Sequence, residues 1–168
     1  MTTGPVEETP AGLQWAEKPS HPLTAEIFAY WLSKREGGLI PPRRAIDPIE
    51  IPKLLPHIVI LDELKEDGDF RIRLYGSEVA FWTGEDRTGA RSAGLGRNRP
   101  ENLARMTQER WRRVVQRVLQ DKEPLFLRTR MTPHEKDYAK VHVAALPLSG
   151  SEPGSIEQIL GVLVRLTD

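Results

Sequence analysis

Residues 70–84 read FRIRLYGSEVAFWTG. The first half alternates as a strand does, with two sets of side chains on opposite faces: Phe70, Ile72 and Leu74 on one, and Arg71, Arg73 and Tyr75 on the other. The second half predicts a short helix over Ser77–Thr83 that ends at Gly84. The stretch therefore predicts a strand that runs directly into a helix.

The chain before this stretch predicts a hairpin, a proline-rich segment and a helix. Asp67-Gly68 is a strong turn signal and joins the strand to an apolar strand at Ile58–Leu64. Residues 41–57 are interrupted by prolines and predict turns with one helical turn near Glu50–Leu55. Apolar residues at helical spacing predict a helix at Leu23–Glu36. We interpret residues 1–20 as a flexible tail and residues 21–168 as one domain.

The chain after this stretch predicts a long helix and three strands. Pro100 opens the helix, which runs to about Gln120. The strands are expected at Leu125–Met131, Lys140–Leu148 and Ile159–Leu166, with His134–Asp137 as a polar hairpin turn. The fold class is therefore α+β: a five-stranded antiparallel sheet with the middle helices on one face and the N-terminal helix on the other.

Composition excludes several classes of function. The 168 residues suit one domain, and 24 basic residues balance 24 acidic ones, so the chain has no general attraction to nucleic acid or a membrane surface. We interpret the basic residues of the long helix, Arg110, Arg113 and Arg117, as a solvated face. The absence of cysteine excludes disulfides and thiolate chemistry. No signal-peptide pattern is present, so we expect a cytoplasmic protein.

Two segments resemble PAS domains. Residues 75–84, with Thr83-Gly84 at the end, resemble the PAS junction between the second strand and the first helix. Residues 44–62, with Asp47-Pro48, Ile51-Pro52 and Leu54-Leu55-Pro56 before the first strand, resemble a subfamily of stand-alone bacterial PAS proteins. The resemblance covers roughly residues 23–167. It implies a non-catalytic sensory or regulatory module that binds a small ligand, a signalling protein partner or both.

The resemblance also implies a ligand site between the sheet and the middle helices. The candidate ligand contacts are Arg73, Tyr75, Val79, Trp82, Thr83 and His142. Tyr75 and Thr83 offer hydroxyls in an otherwise apolar pocket, or they simply pack the core. If Tyr75 points inward, a period of two places Arg73 inward as well. We favour an internal pair of Arg73 with Asp86, and an anionic ligand is the alternative.

Metal and catalytic sites find little support in the sequence. The four histidines are His21, His57, His134 and His142, and none lies in the long helix where a haem ligand would suit. No metal site and no catalytic residue is predicted, and the identity of any cofactor stays open. Two alternatives remain: an adaptor that binds no ligand, and a small α+β enzyme with a conical pocket that uses Asp62 and His142.

The last strand is apolar on both faces, so both faces need a cover. Ile159 and Leu163 lie opposite Leu160, Val162 and Val164. We expect the helix at 23–36 to cover the outer face, in its own subunit or across a homodimer. The predicted interface residues are Leu23, Ile27, Tyr30, Trp31, Ile159 and Leu163.

Overall fold

A computed structural model of the protein describes residues 12–131, 139–152 and 154–166. The first eleven residues and the predicted turn at His134–Asp137 lie outside these ranges. The strands are β1 (Leu13–Ala16), β2 (Ile58–Asp62), β3 (Arg71–Tyr75), β4 (Leu125–Met131), β5 (Ala139–Ser149) and β6 (Ile156–Leu166). The helices are α1 (Pro22–Ser33), α2 (Ser77–Thr83) and α3 (Glu101–Asp121).

The strands form one antiparallel sheet in the order β1-β4-β5-β6-β2-β3. The α+β prediction is confirmed, but the described residues contribute six strands instead of five. The additional strand, β1, lies in the segment predicted as a flexible tail and pairs Leu13 with Thr129 on β4. Leu13 is buried, and the guanidinium of Arg117 lies 4.6 Å from the ring centre of Trp15. These contacts hold the short strand on the sheet, and its sequence alone does not predict them.

The sheet separates two apolar cores. The inner core lies between the sheet and helices α2 and α3, and contains Val59, Leu61, Phe70, Val79, Val115, Val118 and Leu127. The outer core lies between the sheet and α1, and contains Ile27, Trp31, Leu54, Phe126, Leu146, Leu160 and Val162. Both faces of β5 and β6 are therefore covered within one chain, as their continuous apolar sequences predict.

Helix α1 is held on the outer face by its start and by one tryptophan. His21 caps the helix, since its Nδ1 accepts a hydrogen bond from the backbone N–H of Leu23 at 3.0 Å. Trp31 is buried to 1% exposure and donates its indole N–H to the carbonyl of Pro147 at 2.8 Å. The helix ends at Ser33, before the predicted Glu36, and Gly37 and Gly38 then adopt positive φ angles where the chain turns.

The interface prediction divides into two groups. Ile27 and Trp31 are buried against their own sheet, so α1 covers the outer face in its own subunit. Leu23 and Tyr30 pack partly against the same core. Ile159 and Leu163 lie on the inner face beneath α3, so their placement at an outer interface is wrong. Alternation could not assign the faces because both faces of β6 are apolar.

The proline-rich segment forms three short 3₁₀ turns, at Arg43–Ala45, Pro48–Glu50 and Leu55–His57. The sequence had predicted a single turn near Glu50–Leu55, which falls between the second and third of them. Ile51 and Leu54 insert into the outer core from this segment. The segment thus covers part of the outer face of the sheet beside α1 before β2 begins.

Candidate ligand pocket

The junction of β3 and α2 places two hydroxyl groups inside the protein. Tyr75 is buried at 5% exposure, and Val79 and Thr83 from the next two turns are buried beside it. The Tyr75 hydroxyl donates to Thr83 Oγ1 at 3.0 Å, and Thr83 Oγ1 donates to the carbonyl of Val79 at 2.7 Å. Burial raises the pKa of Tyr75, so the phenol stays neutral. The two hydroxyls satisfy each other without a ligand.

Trp82 and Arg87 bring polar groups to the same region. Both side chains are buried, and Arg87 is only 3% exposed. Arg87 Nε donates to Glu85 Oε1 at 2.8 Å, but its two terminal nitrogens and the Trp82 indole nitrogen have no hydrogen-bond partner in the part of the chain that the structure describes. The Arg87 guanidinium lies 6.0 Å from the centre of the Tyr75 ring. Sequence reasoning missed Arg87 because a charged residue in a glycine-rich loop resembles a solvated one.

Arg73 does not point inward, and that prediction is wrong. Its side chain is 56% exposed and lies 3.6 Å from Asp62, while Asp86 accepts hydrogen bonds from Thr88. The cause is an irregularity in strand pairing, where Ile60 faces Leu74 but Leu61 faces Ile72. The extra residue on β3 is Arg73, so the alternation shifts there and both Ile72 and Tyr75 face the inner core.

A cavity of about 70 Å³ lies between α3 and the inner face of the sheet. Its walls are almost entirely apolar and come from β1, α3 and the central strands: Leu13, Val59, Leu61, Trp111, Val114, Leu127, Val141, Val143, Ala145, Ile159 and Leu163. Engineered apolar cavities of about 150 Å³ accept benzene, so this cavity has room for a few carbon atoms. It is far too small for haem or a flavin ring in the conformation shown.

The cavity lies beside a second pocket of about 460 Å³, which we call the basic pocket because arginine and lysine residues line it. The two share Thr107, Arg110 and Thr129 at their boundary. The basic pocket lies between the first turns of α3 and the ends of β1, β4 and β5, and the described residues that line it are Gly12, Gln14, Arg99, Leu103, Met106, Thr107, Arg110, Arg128, Thr129, Arg130 and Lys140. Its volume is within the range of small-molecule sites.

A family model described as PAS domain matches residues 19–164 of the chain. The chain belongs to the PAS domain family. The match covers the three helices and most of both cores, and it supports a sensory or regulatory role at the level of the family. No curated protein matches the sequence.

In this PAS domain, His142 does not belong to the inner pocket. It is buried on the outer face of β5, where its ring lies 5.6 Å from that of His21 and its Nδ1 contacts the Ser20 hydroxyl. Burial lowers the pKa of His142, and the charges of His21, Arg128 and Lys140 lower it further. Strand alternation places His142 on the other face of the sheet from Val141 and Val143, which line the cavity. His142 therefore cannot share a ligand there with Tyr75.

Acidification is expected to weaken the attachment of α1. Burial also lowers the pKa of His21, with a smaller effect from His57, and a proton on its capping Nδ1 would abolish the cap. Both folded pKa values lie below those of the unfolded chain, so the unfolded state binds more protons as the pH falls below about 6.5. The free energy of unfolding in urea should therefore decrease from pH 7.5 to pH 5.5.

Paired variants check this pH dependence. His21→Ser keeps a good helix cap without a titrating ring, and His142→Gln removes the second ring. The double variant should lose most of the pH dependence, while His57→Gln should retain it. If the free energy of unfolding changed equally with pH in the wild type and the double variant, this role of the two histidines would be contradicted.

The acid–base pair of the enzyme alternative does not come together. Leu61, beside Asp62, pairs with Ile159 on β6, whereas His142 pairs with Val164, five residues further along that strand. At about 3.3 Å per residue, the two levels are separated by roughly 16 Å. Asp62 instead accepts hydrogen bonds from Arg71 at 2.7 and 2.9 Å, which is the main reason that its pKa is lowered.

Two further searches cover only the described residues. No group of three or more histidine, cysteine, aspartate or glutamate side chains among them is arranged to hold a metal ion. None of the helices they form is long and apolar enough to cross a membrane.

Proposed function

We propose that this PAS domain is a non-catalytic regulatory module that binds a small ligand between α3 and the inner face of the sheet. The observation that carries the proposal is the apolar cavity beneath α3, which shares the lining residues Thr107, Arg110 and Thr129 with the basic pocket beside it. An apolar space with polar groups at one end is the usual form of a small-molecule site.

The proposed signal is a change in how α3 packs on the sheet. Trp111 and Val114 of α3 form one wall of the cavity, and strands β5 and β6 form the opposite wall. A ligand that fits better when α3 is displaced would shift the population towards that state. The same strands pack against α1 on their outer face. A partner protein bound at α1 or α3 would therefore respond to the displacement of α3.

We also propose that the protein binds a signalling protein partner and forms a homodimer, and that it acts in the bacterial cytoplasm. Because α1 covers its own sheet, a dimer formed through α1 would use the exposed side of that helix, where Leu32 is 42% exposed. The apolar surface of α2 offers a second contact for a partner at Phe81, whose side chain is 82% exposed.

The second candidate function is an adaptor that binds no ligand. Two observations favour it: Tyr75 and Thr83 satisfy each other by a hydrogen bond, and the apolar cavity is only about 70 Å³. In that case the cavity would be a packing defect and the exposed apolar residues would carry the function.

Filling the cavity distinguishes the two candidates. Ala145→Val adds two methyl groups to the cavity wall, and valine suits a strand. We expect this variant to lose most of the small molecule that the wild type releases on denaturation, measured per mole of protein by chromatography and mass spectrometry. The matched control Ala29→Val, on the exposed side of α1, should keep it.

The adaptor function predicts a different result for the same pair. If the cavity is only a packing defect, neither wild type nor variant releases a stoichiometric small molecule. Ala145→Val should then be about 1 kcal/mol more stable in urea, because it fills empty space. That outcome would overturn the ligand-binding proposal.

A further inference from the structure

The charge of the basic pocket is one-sided. Two of the cations that line it, Arg99 and Arg110, lie on the side of α3, and no described carboxylate lines it. The strand residues Arg128, Arg130 and Lys140 also border the pocket, but strand alternation places their side chains on the outer face with His142. The chain as a whole has a formal net charge of zero, so this excess is local. Among the described residues, Arg99, Arg128, Arg130 and Lys140 take part in none of the ion pairs. A concave site with charge of one sign attracts small ions of the other sign.

Arg99 is held under unfavourable electrostatic conditions at this site. One of its terminal nitrogens, Nη2, is inaccessible to water and has no hydrogen-bond partner in the described part of the chain. Burial and the neighbouring charge of Arg87 both lower the pKa of Arg99. Arg87 is itself buried with two nitrogens unpartnered. Buried donors without acceptors are rare in proteins and indicate a missing acceptor, such as an ion or water.

Arg110 connects the basic pocket with the apolar cavity. It lines both, and it donates a hydrogen bond to the carbonyl of Arg130 at 2.8 Å. Burial and the charge of Arg99 lower its pKa. An anion beside Arg99 and Arg110 would therefore lie next to the cavity. A short carbon chain attached to it would reach the apolar walls around Trp111 and Leu127.

From this arrangement we infer that the ligand is a small amphipathic anion: a carboxylate or phosphate bound at Arg99 and Arg110, with an apolar group of a few carbon atoms in the cavity. The inference rests on the proposed function, whose site it specifies. The guanidinium group suits both head groups because it donates two parallel hydrogen bonds. A long fatty acid does not fit the cavity of about 70 Å³.

A nucleic acid fits the site less well. Binding a polyanion depends on many phosphate contacts along an extended basic surface. The other basic residues of α3 are engaged, since Arg113 pairs with Glu109 and Arg117 with Asp121. The two cations that face the basic pocket from the side of α3, Arg99 and Arg110, instead suit a single head group.

Matched small probes test the inference. Butanoate, butyl phosphate and 1-butanol share the same alkyl chain, and only the first two carry a charge. The readout is the indole N–H signal of Trp111 in nitrogen–proton correlation spectra, assigned through Trp111→Phe, because this ring lines the cavity. Sodium chloride at equal ionic strength is the reference. We expect at least one of the two anions to bind at least tenfold more tightly than 1-butanol.

Variants locate the head group. Arg99→Gln should weaken binding of that anion about tenfold, the effect of losing about 1.4 kcal/mol. The control Arg113→Gln, on the exposed side of α3, should leave binding unchanged. Butanoate and butyl phosphate together show which head group the site prefers.

Three results would overturn the inference. One is equal affinity for 1-butanol and both anions, which would leave the cavity as a neutral ligand site and the proposed function intact. The second is binding of both anions unaffected by Arg99→Gln. The third is a single-stranded oligonucleotide that binds in an Arg99-dependent manner while neither small anion moves the Trp111 signal.

Discussion

Trp31→Ala is expected to lower the free energy of unfolding by about 3–5 kcal/mol, the range for a tryptophan removed from a core. The ring of Trp31 is at 1% exposure, and its indole N–H donates to the carbonyl of Pro147 on β5 at 2.8 Å. The variant therefore leaves a cavity in the outer core and an unpaired carbonyl. Urea denaturation followed by circular dichroism measures the change.

The control for Trp31 is its neighbour. Leu32→Ala, at a residue that is 42% exposed, should change the free energy of unfolding by no more than about 0.5 kcal/mol. The loss in Trp31→Ala should not depend on protein concentration, because α1 covers the sheet of its own subunit. A loss below 1 kcal/mol would contradict this position of α1.

Gly76→Ala is expected to destabilise the protein by about 3 kcal/mol, the upper part of the usual range for overpacking. A Cβ atom at Gly76 would lie 2.3 Å from the carbonyl oxygen of Pro56 and 2.9 Å from that of Ile58. Both contacts are with backbone, so no side chain can turn away to relieve them. The backbone N–H of Gly76 also donates to the Ile58 carbonyl at 2.7 Å, which fixes the start of α2 against β2.

A second glycine provides the control. In Gly94→Ala the nearest atoms to the new Cβ belong to the Arg97 side chain at 3.5 Å, an ordinary contact. That variant should stay within about 0.5 kcal/mol of the wild type in the same urea assay. If Gly76→Ala and Gly94→Ala were equally stable, that result would contradict the close packing described for the strand–helix junction.

Elements with strong local signals were predicted well. Helix α2 occupies Ser77–Thr83 as predicted, because Gly84 supplies the positive φ that ends it. Strand β4 also has its predicted bounds, Leu125–Met131. The order of elements and the two covered faces follow from apolar periodicity, so the α+β architecture was accessible from the sequence.

The errors arise where long-range contacts override local pattern. The shift in pairing at Arg73 is a property of β2 and β3 together, and no feature of β3 alone reveals it. Strand β1 has only four residues and depends on β4 for its hydrogen bonds. The inner or outer position of Ile159 was not decidable because apolar residues occupy both faces of β6.

The candidate site was predicted only in part. Tyr75, Val79 and Thr83 were expected on the inner side, and the structure places them there. Arg99 and Arg110 were missed as site residues, because basic residues in and before an amphipathic helix usually face solvent. Their burial depends on β1 and on the ends of β4 and β5, which lie far away in sequence.

Ligand binding by this PAS domain is tested most simply by the mass of the wild-type protein under native and denaturing conditions. We expect additional mass on each subunit in the native spectrum, which disappears on denaturation and is small enough for an anion with a short carbon chain. The same spectrum reports the oligomeric state. A native subunit mass equal to the denatured mass, in protein purified at low ionic strength without dialysis, would contradict the claim that this PAS domain holds a small ligand.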